Sequence, residues 1–123
     1  MLKPIVNLCV FLSCCVAILA SAPRIVPFAL SNDIEMGQRV SIVCSLKEGT
    51  PPISFVWHKD GKPIGTFSGL RVNHIDDFQD VLQIEKLTAD HVGNYTCNAK
   101  NMYGADHITV PVLLSFAPRW LSN

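Results

Sequence analysis

The sequence predicts an all-β domain built as a sandwich of two antiparallel sheets. Three observations point there. Apolar and polar residues alternate at period two in several short runs, the pattern of half-buried strands. Turn-forming residues punctuate those runs, and no apolar stripe of helical length interrupts them. Two cysteines, Cys44 and Cys97, fall on separated runs, where one bridge can tie two sheets together.

The chain opens with Lys3, an apolar run over residues 5–20 and the small residues Ala20, Ser21 and Ala22. That order reads as a secretory leader covering residues 1–22. A membrane span needs about 20 apolar residues, whereas this run contains Asn7 and Ser13 and meets Pro23. The cut is expected between Ala20 and Ala22. A cut after Ala22 has the usual small residues but leaves Pro23, which has no N–H, next to the cut bond. Cys9, Cys14 and Cys15 depart with the leader, so Cys44 and Cys97 remain. In an oxidising compartment a pair so far apart reads as a structural disulfide, because metal sites use closely spaced cysteines.

Residues 23–115 form the predicted domain. Its strands are marked by Val40, Ile42, Cys44 and Leu46, by Ile53, Phe55 and Trp57, and by Leu82 and Ile84. Tyr95, Cys97 and Ala99 mark the next, and Ile108, Val110 and Val112 the last. Between them lie the turn segments 47–52, Asp60-Gly61, 65–69 and 101–104. Asp60-Gly61 is a strong hairpin signal. Cys44, Trp57 on the following strand, and Tyr95 two residues before Cys97 make the core constellation of an immunoglobulin sandwich. In that arrangement the indole packs on the bridge, Leu82 and Ile84 fill the core, and the tyrosine hydroxyl bonds upstream backbone.

Composition narrows the function. The 123 residues carry ten Lys/Arg against ten Asp/Glu, so the basic surface that nucleic acid needs is missing. The chain is 49% hydrophobic and 16% charged, enough to bury a core. His58, His74, His91 and His107 stand apart, with no metal-binding, nucleophile or phosphate-loop spacing, so no enzyme activity, metal or cofactor is expected. Asp76, Asp77 and Asp80 flank Phe78-Gln79 and read as a solvated loop, since calcium demands six to eight converging oxygens. Asn94-Tyr95-Thr96 is an N-glycosylation sequon. Its asparagine points opposite to Tyr95, hence outward.

The run Gly93-Asn94-Tyr95-Thr96-Cys97-Asn98-Ala99-Lys100-Asn101-Met102-Tyr103-Gly104 resembles the F strand, turn and start of G of an intermediate-set immunoglobulin domain. Pro23-Arg24-Ile25-Val26-Pro27-Phe28, His91-Val92-Gly93-Asn94-Tyr95-Thr96-Cys97 and Ala117-Pro118-Arg119-Trp120 extend the likeness to arthropod receptors of the Dscam (Down syndrome cell adhesion molecule) type. A leader directly before such a domain is similar to the shortened Dscam-like proteins of chelicerates, whose first domain is the variable recognition module. Intermediate-set domains usually hold Asp four residues before the corner tyrosine, paired with an arginine. Here that place holds His91, with the acid at Asp90. An Arg71 bridge is therefore in question, and His91 could cap the corner by hydrogen bonding instead. Ala22-Pro23-Arg24 recurs as Ala117-Pro118-Arg119, about one domain length later. Residues 116–123 thus read as a linker or the start of a second such domain.

The resemblance implies an extracellular recognition module of a cell adhesion receptor, secreted or at the cell surface. It would bind a second copy of itself, with any membrane attachment lying downstream. The alternative is a soluble immune-type receptor that binds heterologous ligands through its loops. The expected binding face is the sheet that presents Ser41, Val43 and Ser45, then Val81, Gln83 and Glu85, joined by Arg71 and Asn73. Two valines among small polar neighbours make an apolar centre with a polar rim.

Overall fold

A computed structural model describes residues 20–115 apart from Asn32 and Thr66. Most of the expected leader, and residues 116–123 with the repeated Ala117-Pro118-Arg119, lie outside the described residues.

The alternating runs become strands, and their order builds two sheets. One sheet contains β1 (Arg24–Ile25), β2 (Val40–Glu48), β6 (Gln79–Ile84) and β5 (Leu70–Asp76), in the spatial order β1-β2-β6-β5. The other contains β4 (Lys62–Pro63), β3 (Ser54–Lys59), β7 (Gly93–Asn101) and β8 (Gly104–Val112), in the order β4-β3-β7-β8. Every pairing is antiparallel, and a short 3₁₀ turn at Ala89–His91 leads into β7. Among the described residues no helix is long and apolar enough to cross a membrane.

Turn chemistry sets the registers. Lys59 pairs with Lys62, leaving Asp60 and Gly61 as a two-residue loop with φ of 51° and 80°. Positive φ at both places is the twist that suits a tight hairpin, and glycine takes it without a steric penalty. Asn101 pairs with Gly104, so Met102 and Tyr103 form the tip of the β7–β8 hairpin.

Period-two alternation then delivers one face of each sheet to a single core. Ile42, Leu82, Ile84, Leu87, Tyr95 and Val112 are fully buried there, and each large aliphatic side chain so buried contributes about 2 kcal/mol. Cys44 and Cys97 are bonded across the core with their Cα atoms 6.4 Å apart. Closing that 53-residue separation stabilises the domain by about 4 kcal/mol on the chain-entropy account. The sandwich is open along one side. Val72 on edge strand β5 is in register with buried Leu82 yet remains 43% exposed, because the facing edge strand β4 is only two residues long.

The acidic cluster is corrected by the fold. Asp76 ends β5, and its Oδ1 accepts the Phe78 N–H in a local turn. Asp80 belongs to no loop: it lies on β6, and the alternation Asp80, Leu82, Ile84 aims it into the core.

Candidate functional site

The centre of the domain is polar at one place only because each polar atom there has a partner. Trp57, on β3, donates its indole N–H to Asp80 Oδ2 at 2.9 Å. The other carboxylate oxygen of Asp80 meets His74 Nδ1 at 3.0 Å. A carboxylate this buried would be costly without such partners, and the His74 ring leans on Phe55 with centroids 6.3 Å apart. The network fixes the indole beside the disulfide, where Trp57 is in register with Cys97.

Tyr95 makes the expected corner. Its hydroxyl donates to the His91 carbonyl at 2.7 Å. Burial, and then the negative charge of Asp60, push that hydroxyl up to about 12. The His91 ring is the other half of the corner. Thr88 N–H donates to Nδ1 at 3.0 Å, so Nδ1 presents its lone pair and Nε2 carries the proton, which it donates to the Ser68 carbonyl at 3.1 Å. The residue in the place of the usual aspartate therefore acts as a hydrogen-bond relay. Arg71, whose bridge the sequence put in question, pairs instead with Glu85, Nε to Oε1 at 3.5 Å.

The proposed binding residues share the outer face of the β1-β2-β6-β5 sheet. Strand register puts Val43, Val81 and Asn73 in one row across three strands. Ser41, Gln83 and Arg71 form the next row, and Ser45 sits opposite Gln79. Asn73 Nδ2 donates to Gln83 Oε1 at 2.9 Å, which ties the two rows together, and Glu85 closes the rim by pairing with Arg71. Ile75, 55% exposed, follows Asn73 at the irregularity near the end of β5.

The opposite sheet presents a different surface. Thr96, Asn98 and Lys100 alternate outward with Asn94 along β7, and Thr96 Oγ1 bonds Thr109 Oγ1 on β8 at 2.9 Å. Asn94 is exposed, and its N–H donates to Asp60 Oδ1 at 2.9 Å. That bond, aided by the Lys59 ammonium, holds the Asp60 carboxyl below the usual carboxylate range. Lys59 itself is only 8% exposed. Its ammonium lies 3.1 Å from Asp60 Oδ2 and 5.2 Å above the Phe67 ring.

The sequence reading misplaced Asp80 and gave Asn101 no role. Asp80 could have been found from its place in the buried alternation. Asn101 carries no motif, yet it is buried and its amide is fully used. Nδ2 donates to the carbonyls of Ser21 and Thr50 at 2.8 and 3.0 Å, and Oδ1 accepts from the N–H groups of Tyr103 and Gly104 at 2.8 and 3.1 Å.

Comparison with known proteins agrees with this geometry. The family model described as "Immunoglobulin domain" matches residues 22–101. Cell adhesion molecule Dscam2 of Drosophila melanogaster is 36% identical over 99 residues, which is 80% of this chain and 5% of that protein. Cell adhesion molecule DSCAM of Gallus gallus is 37% identical, again over 80% of this chain and 5% of its own length. The chain thus spans about one twentieth of these relatives. Among solved structures, the Dscam1 Ig7 domain, isoform 5, superposes with a TM-score of 0.72 at 26% identity, covering 76% of this chain and 97% of that one. The N-terminal eight Ig domains of DSCAM isoform 1.30.30 give a TM-score of 0.70 at 34% identity, covering 76% of this chain and 14% of that one. A sandwich with this bridge, this indole and this tyrosine corner, matched along most of its length, belongs to the immunoglobulin domain family.

Proposed function

We propose that this domain is the non-enzymatic, extracellular recognition module of a Dscam-like cell adhesion receptor, and that it binds a second copy of itself through the outer face of the β1-β2-β6-β5 sheet. The observation that carries the reading is the row Val43, Val81, Asn73. Its two valines are partly exposed at the middle of a regular sheet and ringed by Ser41, Ser45, Gln79 and Gln83. An apolar centre with a polar rim is how protein interfaces are built. Self-association is favoured by charge. Without Lys3 of the leader, nine Lys/Arg stand against ten Asp/Glu, so copies repel little at long range. Arg71 and Glu85 sit together on the face, and a two-fold axis lets each meet its opposite on the other copy. The names of the Dscam relatives, which are cell adhesion molecules, support the adhesive role. A leader would deliver the domain to the exterior, and a glycan on exposed Asn94 would leave this sheet clear while crowding the other.

A second reading, loop-mediated binding of a heterologous ligand, is favoured by the β7–β8 hairpin tip, where Met102 is 83% and Tyr103 49% exposed. Sedimentation and bead aggregation separate the two. Val43→Glu and Val81→Glu should each weaken self-association at least tenfold while leaving the fold intact. Unchanged association in both folded variants rejects this face, and a wild-type domain that stays monomeric in both assays rejects self-association and favours the loop reading.

A further inference from the structure

Ser21 and Ala22 fall within the span expected to be leader, yet both are built into the domain. Ser21 N–H donates to Thr50 Oγ1 at 2.9 Å, and the Ser21 carbonyl accepts from Thr50 N–H at 3.0 Å and from Asn101 Nδ2 at 2.8 Å. Ala22 lies flat on Gly104: a Cβ added there would come within 2.9 Å of the Ala22 methyl. Pro23 is buried, and a Cβ at Gly49 would approach its Cα to 3.2 Å. From Ser21 onward the chain is threaded between the loop at Gly49-Thr50 and the hairpin tip of β7–β8.

Each possible cut therefore has a different cost. Removal of Ser21 and Ala22 takes from Thr50 N–H its acceptor and from Asn101 one of its two. It would also make Pro23, which packs against Gly49, the new terminus. A cut one bond before Ser21 does neither. The new ammonium then sits on a nitrogen that is only partly buried and already donates to Thr50 Oγ1, with further donors free for water. Ala20 supplies the small residue directly before the bond, with Ile18 in place of a second small residue two positions upstream, and the residue after the bond has an N–H, which Pro23 lacks.

We propose that the leader is removed between Ala20 and Ser21, so that Ser21 is the first residue of the mature domain and its terminal ammonium is held on Thr50. The cleavage is a hydrolysis by a leader peptidase. Water adds to the Ala20 carbonyl, the C–N bond breaks, Ala20 departs as a carboxylate and Ser21 gains the amine proton. The inference rests on the leader reading and shortens the leader by two residues.

The full chain is to be expressed in a secretory host and the exported protein characterised by N-terminal sequencing and intact mass. The expected first residues are Ser21, Ala22 and Pro23. A chain that begins at Ala22, at Pro23 or at a residue between Met1 and Ser21 overturns the proposed bond. An exported chain that keeps Met1 overturns the leader reading itself. As an independent check, mature forms beginning at Ser21 and at Pro23 are secreted behind an unrelated leader. The shorter form should melt about 5 °C lower or fail to be exported. In the longer form Thr50→Val should lower the melting temperature by a few degrees, and unchanged melting in both comparisons removes the reason for the cut.

Discussion

At one end of β7 the imidazole of His91 joins Thr88 to Ser68, and the Tyr95 hydroxyl closes on the carbonyl of the same histidine. At the other end the amide of Asn101 joins Ser21, Thr50, Tyr103 and Gly104. Both ends solve one problem: loops leave the sheets there, and their backbone groups need partners. They differ in reach. The His91 ring links its own 3₁₀ turn to Ser68, 23 residues back and just ahead of β5, whereas Asn101 gathers segments as far as 80 residues away in sequence. The lesson is that the corner draws on the middle of the domain, while the opposite end depends on the segment at Ser21 being in place.

Substitution should break that comparison in a definite order. Asn101→Ala strips partners from two N–H groups and two carbonyls. It is expected to cost about 3 kcal/mol in urea unfolding, and a loss under about 1 kcal/mol would mean that water replaces the amide. His91→Ala leaves one N–H and one carbonyl, at Thr88 and Ser68, so about 2 kcal/mol is expected. If that variant loses more than Asn101→Ala, the ranking of the two ends is inverted.

A third test separates the ends by pH. Tyr95 is held up to about 12 against about 10 for a free tyrosine. Its folded value exceeds the unfolded one, so its contribution is complete below about pH 10 and is lost as pH rises through about 12. Alkaline titration at the phenolate absorbance should therefore show Tyr95 ionising together with a fall in stability across that interval. Tyr95→Phe should unfold more easily at neutral pH and lose this alkaline slope. In a Tyr103→Phe background, where Tyr95 is the one remaining tyrosine, a phenolate step near pH 10 with no change in stability would contradict the buried corner.

Much of the sandwich was legible because strand pattern and turn chemistry are local signals. The alternations through Cys44, Trp57, Leu82 and Cys97 lie on strands β2, β3, β6 and β7, and Asp60-Gly61 makes the hairpin its composition suggests. Asp80 was misplaced because acids are rarely buried unpaired, and its partners Trp57 and His74 are visible only once the sheets face each other. Val72 has a core-like residue type, yet its exposure follows from the shortness of β4 across the open side. The docking of Ser21, and the bond from Ile25 N–H to Asp106 Oδ2 at 2.8 Å, join residues about 80 positions apart, which no local pattern encodes. On the candidate face, alternation indicated which side chains point outward. Register between strands was needed to bring Val43, Val81 and Asn73 into one row.

The Cys44–Cys97 bridge also decides how the domain carries load when it is pulled from its two ends. Tension entering through the N-terminal segment and leaving past β8 passes from Cys44 to Cys97 through the sulfur–sulfur bond. The segment between them, a separation of 53 residues, stays outside the force path. At about 3.6 Å for each extended residue, the bridge withholds about 190 Å of slack. An oxidised domain pulled past its yield point lengthens only by the strands outside the loop.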